Sequence, residues 1–373
     1  MRIVFIITRG DTVGGATIHV RDLSRRLIDD GHQVIVYVGA GEIVPKLLDE
    51  ADVPFEQFVT MERAINPGRD LLTLWKLTWS LKKFHPDIVS AHTSKAGALA
   101  RIICTMLRIP ILYTPHCWSF VDHFPKAKLY RRIERWLRPF ATVVIAVSEF
   151  ERQIGLKEGA CSEAKSVTIH NGMPALKRAE LAKAAQVPPQ LVMVARFDRQ
   201  KDHSTLIQAL AQLQEKPWTL NLIGDGPLMK EVQAQVTQAH LTNRVSFSGY
   251  SNQIEDALNR AQIFVLSTVW ESFPRSILEA MRAGLPVVAT DVGGCEESVL
   301  HGDNGYIFKL GNADNLAKLL KQLIDSSDLR EQMGRKSRIL YEERFTFDIM
   351  YNKYLQLYGD VLKLDSSQNS QSD

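Results

Sequence analysis

The chain has 373 residues, 45% hydrophobic and 23% charged, with Lys+Arg 45 against Asp+Glu 42 for a formal charge of +3. At about 100–200 residues per domain this length predicts two domains, with enough apolar material for two cores. The near balance of charge excludes a nucleic-acid binder that relies on overall charge. Cys104, Cys117, Cys161 and Cys295 lie far apart with no C-x-x-C pair. That argues against a disulfide framework or a structural zinc site and makes a reducing cytosol the expected compartment.

The chain opens on MRIVFIITRG, which reads as a core strand and not as a leader. RIVFIIT (2–8) precedes an amphipathic run from Ala16 to about Asp30, with Gly31 at the expected C′ position. HQVIVYV (32–38), PDIVSAH (86–92), PILYTPH (110–116) and TVVIAVS (142–148) follow as strands between helix-length segments. Continuous apolar strands joined by helical crossovers predict a parallel sheet covered on both faces. The second half repeats the pattern with QLVMVARF (190–197), TLNLIGDG (219–226), RVSFSGY (244–250), IFVLST (263–268) and PVVAT (286–290). The expectation is an α/β protein of two doubly wound halves, 1–175 and 176–346, with ligands bound where strand ends face a cleft. The boundary is expected in the Ala/Lys-rich stretch 172–188, and a Tyr/Leu-rich helix at about 347–364 is expected to pack back on the first domain. The polar residues 365–373 read as a disordered tail, and no run of about 18 apolar residues predicts a membrane span.

Gly14 and Gly15 in TRGDTVGGATIHV (8–20) directly precede the first helix. Such a turn lets backbone N–H groups and a helix N-terminus meet an anion; the alternative is a tight turn that needs positive φ. The glycines do not fit G-x-G-x-x-G, and the strand ending VYVGAG has no acidic residue for a ribose, which argues against a nicotinamide cofactor. In VARFDRQKD (194–202), Arg196 and Lys201 offer a planar fork and a point charge for a departing diphosphate; the alternative is a solvated loop.

The most specific segment is WESFPRSILEAMRAGLPVVATDVGG (270–294). Glu271 lies in a loop, and a helix is expected from Phe273 or Pro274 to about Ala283, closed by Gly284. Helical rise would set Glu271 and Glu279 about 12 Å apart. That is too far for carboxylates flanking one scissile bond at roughly 5–9.5 Å. They read as two contacts along an extended ligand, with the backbone of Ser272, Phe273, Pro274 and Arg275 lying between them to take phosphate or sugar oxygens. His116 at a strand's carboxyl end points to the cleft as a donor or base; His19, His92 and His170 rank behind it. RDLLTLWKLTWSLKKFHP (69–86) and FPKAKLYRRIERWLRPF (124–140) mix Trp and Leu with Lys and Arg. They suggest an anionic bilayer surface, the alternative being ordinary helices with Trp in the core.

Together, Gly14–Gly15, His116, Arg196 with Lys201, and Glu271-x7-Glu279 with its GLPVVATDVGG continuation resemble the retaining glycosyltransferases of family four. The resemblance covers nearly the whole chain and implies the GT-B fold, two Rossmann-like domains facing across a cleft. It implies that Gly14 and Gly15 approach the donor and the acceptor phosphate region, His116 contacts the transferred sugar, Arg196 and Lys201 hold the diphosphate, Glu271 the sugar hydroxyls, Glu279 the ribose, and Tyr250 the base. It implies a UDP-sugar donor and no metal, Arg and Lys standing in for one. Ser272 stands where the family often has Gly, and Cys117 where relatives often have Gly. DIVSAHTSKAGALARI…TPHCWSF resembles bacterial enzymes that extend capsule, exopolysaccharide or O-antigen units on a polyprenyl-diphosphate lipid, for which Lys95 and the basic helices suit the acceptor; this implies a peripheral place at the inner membrane face. Two other readings stay open: a sugar-nucleotide epimerase or hydrolase of the same fold, and an inactive membrane-associated scaffold.

Overall fold

The computed structural model describes residues 1–121, 126–175, 182–251 and 254–369. The chain divides into two compact units: unit 1 is Met1–His170 with Tyr351–Asp373, and unit 2 is Asn171–Met350.

Unit 1 holds a seven-stranded parallel sheet of β1 (Arg2–Ile7), β2 (Gln33–Gly39), β3 (Phe55–Phe58), β4 (Ile88–His92), β5 (Ile111–Thr114), β6 (Val143–Ala146) and β7 (Ser166–Thr168), in the order β3-β2-β1-β4-β5-β6-β7. The order reverses at β1/β4, the place where doubly wound sheets carry ligands at their strand ends. Residues 3–7 of β1 are wholly buried, as a strand covered on both faces must be. The first helix is Gly15–Asp29, and Gly31 follows it with φ +83. β3 and β7 were not evident in the sequence: FEQF and SVT are short and partly exposed edge strands with little apolar signal.

Unit 2 holds a six-stranded parallel sheet of β8 (Gln190–Val194), β9 (Thr219–Ile223), β10 (Val245–Gly249), β11 (Ile263–Leu266), β12 (Val287–Thr290) and β13 (Gly305–Phe308), in the order β10-β9-β8-β11-β12-β13. β13 at the sheet edge was also not evident in the sequence. The helix expected from residue 273 or 274 runs over Arg275–Arg282, and Gly284 past its end has φ +76.

The units divide just before the stretch expected to hold the boundary. Asn171 Nδ2 donates to the Phe273 carbonyl (3.0 Å), Met173 N to that of Phe345 (3.0 Å), and Phe347 N to that of Met173 (2.8 Å), which hold 171–175 within unit 2. Further on, the buried Arg330 guanidinium donates to the carbonyls of Ala184 (2.9 Å) and Gln186 (3.3 Å); residues 176–181 lie outside the described residues. The last helix runs over Phe347–Asn369, beyond the expected end at 364, so the tail read as disordered from 365 is helical through Asn369; a helix already nucleated adds residues at little cost. Residues 370–373 lie outside the described residues. In unit 1, Tyr354 and Tyr358 of this helix are fully buried and the Tyr351 hydroxyl donates to Asp30 (2.5 Å).

Candidate active site

In unit 2 the loops after β8 and β11 are laced together. Asp202 N donates to the Ser267 carbonyl (3.0 Å), Val269 N to that of Gln200 (2.8 Å), and Gln200 Nε2 to that of Trp270 (2.8 Å). Thr268 Oγ1 reaches the Gln200 carbonyl (3.1 Å) and Glu271 Oε1 (3.0 Å). This lacing brings Lys201 onto Glu271 as a direct ion pair, both side chains being mostly shielded from solvent. Two residues assigned separate contacts in the sequence, a cation and a carboxylate, therefore stand at one point before any ligand arrives.

Each loop is braced by backbone that only glycine permits. Gly224 (φ +144) and Gly226 (φ +156) lie against the Ala195 and Phe197 carbonyls, where an added Cβ would sit 2.0 and 2.4 Å away. Phe197 N donates to the Asp225 carbonyl (3.0 Å) and Leu228 N to that of Phe197 (2.9 Å). Gly293 (φ +60) passes so close to Glu271 that a Cβ would fall 1.7 Å from its carbonyl oxygen, and Gly294 N donates to the Ser272 carbonyl (3.0 Å). The GDG and VGG segments thus fix the turns that carry Arg196 and Glu271. Buried His203 stacks on Phe197 (4.3 Å, 11°), and burial lowers its imidazole to about 4. It is neutral at pH 7 beneath the Lys201 turn.

Arg196 projects beyond the end of β8, more than half exposed, and pairs with Asp198 (Nε–Oδ2 2.9 Å). Glu279 lies on the helix Arg275–Arg282, half-buried; burial raises its carboxyl above the ordinary value against the pull of Arg275 and Arg282. Only 275–279 of the Glu271–Glu279 span is helical, so uniform helical rise does not measure it. Phe273 and Pro274 are buried and Ser272 partly exposed at the start of this helix. Tyr250 is 69% exposed beyond β10.

In unit 1, Gly14 is the N-cap of the first helix at φ −151, with nothing within 4 Å of an added Cβ, and neither it nor Gly15 adopts positive φ. The tight-turn alternative is therefore not the reason for glycine here; the bare backbone leaves open space. Gly14 N donates to Thr17 Oγ1 (2.7 Å), which donates back to the Gly14 carbonyl (2.7 Å). β5 stops at Thr114, so His116 lies two residues past the strand. It adopts φ +55 and Cys117 φ +136, the latter a glycine-like conformation at the position where the family resemblance sets Gly as the common residue.

His116 is not alone. His92 Nδ1 and His116 Nε2 share a hydrogen bond (2.8 Å), and Ser90 Oγ holds His92 Nε2 (3.0 Å). Burial first, then the neighbouring His116, pushes the His92 imidazole well below its ordinary value. His19 packs on both rings, 5.4 Å from His92 and 5.1 Å from His116 between centroids. The sequence ranked His19 and His92 behind His116; the sheet brings all three together, while His170 lies after β7, among the last residues of unit 1. Lys95, expected to serve an acceptor diphosphate, is tied to Asp70 (2.5 Å) and mostly buried.

The helix Pro67–Phe84 turns Leu71, Leu72, Trp75 and Trp79 outward, 69%, 42%, 67% and 60% exposed, so these tryptophans are not core residues. The second basic segment carries the helix Ala127–Leu137 with Trp136 61% exposed, but Arg131 and Arg135 pair with Glu158 (2.9 and 3.3 Å), and buried Glu134 receives Arg101 (2.7 Å). Its surface is less basic than its composition suggests, and residues 122–125 lie outside the described residues. No described helix is long and apolar enough to cross a membrane.

Comparison with known proteins extends over both units. The model of Glycosyltransferase Family 4 matches residues 13–175, and that of Glycosyl transferases group 1 matches residues 178–339. A UDP-Gal:alpha-D-GlcNAc-diphosphoundecaprenol alpha-1,3-galactosyltransferase of Escherichia coli is 27% identical over 81% of this chain and 83% of that protein. An N-acetyl-alpha-D-glucosaminyl L-malate synthase of Bacillus anthracis is 25% identical over 98% and 99%. The crystal structure of Anabaena Alr3699/HepE in complex with UDP and glucose superposes with a TM-score of 0.84 at 24% identity, covering 96% of this chain and 99% of that one, and it shares the fold. With two parallel Rossmann-like sheets and matches along both, the chain is a glycosyltransferase of family four with the GT-B fold.

Proposed function

We propose that the chain moves a sugar from a UDP-sugar to a hydroxyl of a lipid-linked glycan, with retention, in the assembly of a surface polysaccharide. The observation that carries this is the Lys201–Glu271 pair in glycine-braced loops. A diphosphate drawing Lys201 toward its oxygens frees a Glu271 oxygen to accept from a sugar hydroxyl, so one ion pair supplies both contacts. Arg196 adds a second cation on the exposed side, Glu279 accepts from the ribose, and Tyr250 offers a ring to the base. These charges make catalysis metal-independent. The anomeric carbon–oxygen bond to the diphosphate breaks, the acceptor oxygen bonds that carbon on the same face, and the acceptor proton passes to the departing phosphate oxygen.

The donor and acceptor classes are supported by the activity for which the Escherichia coli relative is named and by UDP in the Anabaena structure. The Bacillus anthracis relative, an N-acetyl-alpha-D-glucosaminyl L-malate synthase by name, keeps a small hydroxy-acid acceptor as the second reading. A lipid-linked acceptor also suits the Leu71/Leu72/Trp75/Trp79 face, flanked by Lys82 and Lys83, which we assign to an anionic membrane surface.

The test is a panel of sugar nucleotides in EDTA, with and without lipid-linked acceptors, read by released nucleoside diphosphate and by the anomer of the product. Acceptor-dependent release from one UDP-sugar with an unchanged anomeric configuration supports the proposal. Full-rate release without acceptor would make it a hydrolase, and a requirement for added metal would remove the role given to Arg196 and Lys201.

A further inference from the structure

The three imidazoles of unit 1 come from three elements: His19 from the first helix, His92 from the end of β4, and His116 from beyond β5. One ring nitrogen of each lies within 4.8 Å of the other two. No Asp or Glu joins this group among the described residues. His19 and His92 are 1% and 0% exposed, whereas His116 is partly exposed. Three imidazole nitrogens this close together are the donor set that zinc, cobalt and nickel ions take.

We infer that His19, His92 and His116 form a binding site for a divalent transition-metal ion of the zinc class, and that filling it withdraws His116 from the sugar. The second clause rests on the sugar-transfer reading above and on the sugar contact that the family resemblance implies for His116; the first does not. The far nitrogen of His92 is already held by Ser90 Oγ (3.0 Å), the outer contact that fixes the tautomer of a metal-binding histidine. The near nitrogen faces His116 Nε2 at 2.8 Å, where the two rings share a proton. An ion with Zn–N bonds of about 2.0–2.1 Å in tetrahedral geometry holds its nitrogens roughly 3.3 Å apart. The His92–His116 pair therefore opens by about half an ångström and the proton leaves to solvent, while His19 closes by up to about 1.5 Å. Partly exposed His116 gives the ion its way in and leaves the fourth position to water. The ion inhibits and is not the cofactor of the transfer, which runs on Arg196 and Lys201.

The full chain, stripped with EDTA and dialysed, is titrated with Zn(II) by calorimetry and with Co(II) by visible absorption, without any sugar nucleotide. One equivalent per chain, with the intense visible bands of four-coordinate Co(II), is expected. His92→Leu and, separately, His19→Phe, which keeps a ring against Tyr354, should each weaken binding at least tenfold, and exposed His240→Ala in unit 2 should not. Absence of saturable binding, or wild-type affinity in both site variants, overturns the site. Donor turnover measured alongside should fall with the first equivalent of Zn(II) and return with EDTA; full turnover with the site filled overturns the withdrawal of His116. A chain that binds Zn(II) as stated yet turns over no sugar nucleotide keeps the site and fails the functional reading alone.

Discussion

The strand ends of the two units are furnished with different side chains. In unit 2 the loops after β8 and β11 carry cations already matched to carboxylates, Lys201 to Glu271 and Arg196 to Asp198, on turns braced by Gly224, Gly226 and Gly293. In unit 1 the end of β4 and the loop after β5 carry imidazoles and hydroxyls among the described residues, and the strained φ falls on side-chain-bearing residues, Thr93, His116 and Cys117. An anion binding to unit 2 exchanges one set of ion pairs for another, which keeps the shielded carboxylate and ammonium from standing uncompensated in the empty site. The imidazoles and hydroxyls of unit 1 can exchange hydrogen bonds with a ligand as donors or as acceptors.

The largest effect that would break this comparison is in unit 2. Lys201→Ala should lower donor turnover by about 10²–10³-fold, the cost of losing one donor to developing negative charge, measured by nucleoside diphosphate release; a loss under threefold would deny the pair its role. Next comes the pH dependence of stability. His203 is lowered to about 4 in the fold against 6.5 unfolded, so the unfolded chain binds the extra proton first. Its contribution is complete above pH 6.5 and is lost as pH falls toward 4, to the extent of about 3 kcal/mol. Buried His92, also lowered, acts in the same direction. Denaturant unfolding of wild type and His203→Gln should show a shallower loss below pH 6.5 in the variant, and equal slopes would contradict it.

A smaller effect sharpens the reading of unit 1. His92→Leu removes the hydrogen bond to His116, so kcat should fall about tenfold, near 1.4 kcal/mol, with little change in donor KM. His92→Asn keeps a polar atom near the Nδ1 position and should recover part of the loss, whereas a purely packing role predicts no such rescue. The smallest is Cys117→Gly. Relief of φ +136 should outweigh the added chain entropy and raise stability by about 1 kcal/mol, read by calorimetric unfolding; destabilisation would show that the thiol's surroundings matter more.

How much of this could be read from the sequence follows from the range of each interaction. β1 and the first helix were legible because five wholly buried residues in a row and a terminal glycine at φ +83 are local signals. The edge strands β3, β7 and β13 were not, being three or four residues long. Arg196, Lys201, Glu271 and Glu279 were found by residue type and spacing, but the joining of Lys201 to Glu271 depends on lacing between segments 70 residues apart, and Gly226 and Gly293 brace Phe197 and Glu271 from other, separate turns. His19 and His92 were seen and ranked low because their meeting with His116 depends on helix–sheet packing in unit 1, where no short motif points to it. The tryptophans of Pro67–Phe84 could not be assigned to core or surface from a pattern apolar on more than one side.

The central claim is that the charged loops of unit 2 hold the diphosphate of the donor. Calorimetric titration of UDP in EDTA into wild type and into Arg196→Ala/Lys201→Ala, with folding checked by thermal unfolding, tests it without an acceptor or knowledge of the sugar. Saturable binding to wild type, weakened at least thirtyfold in the folded double variant, is the predicted result. Equal affinity in the two proteins would contradict the account.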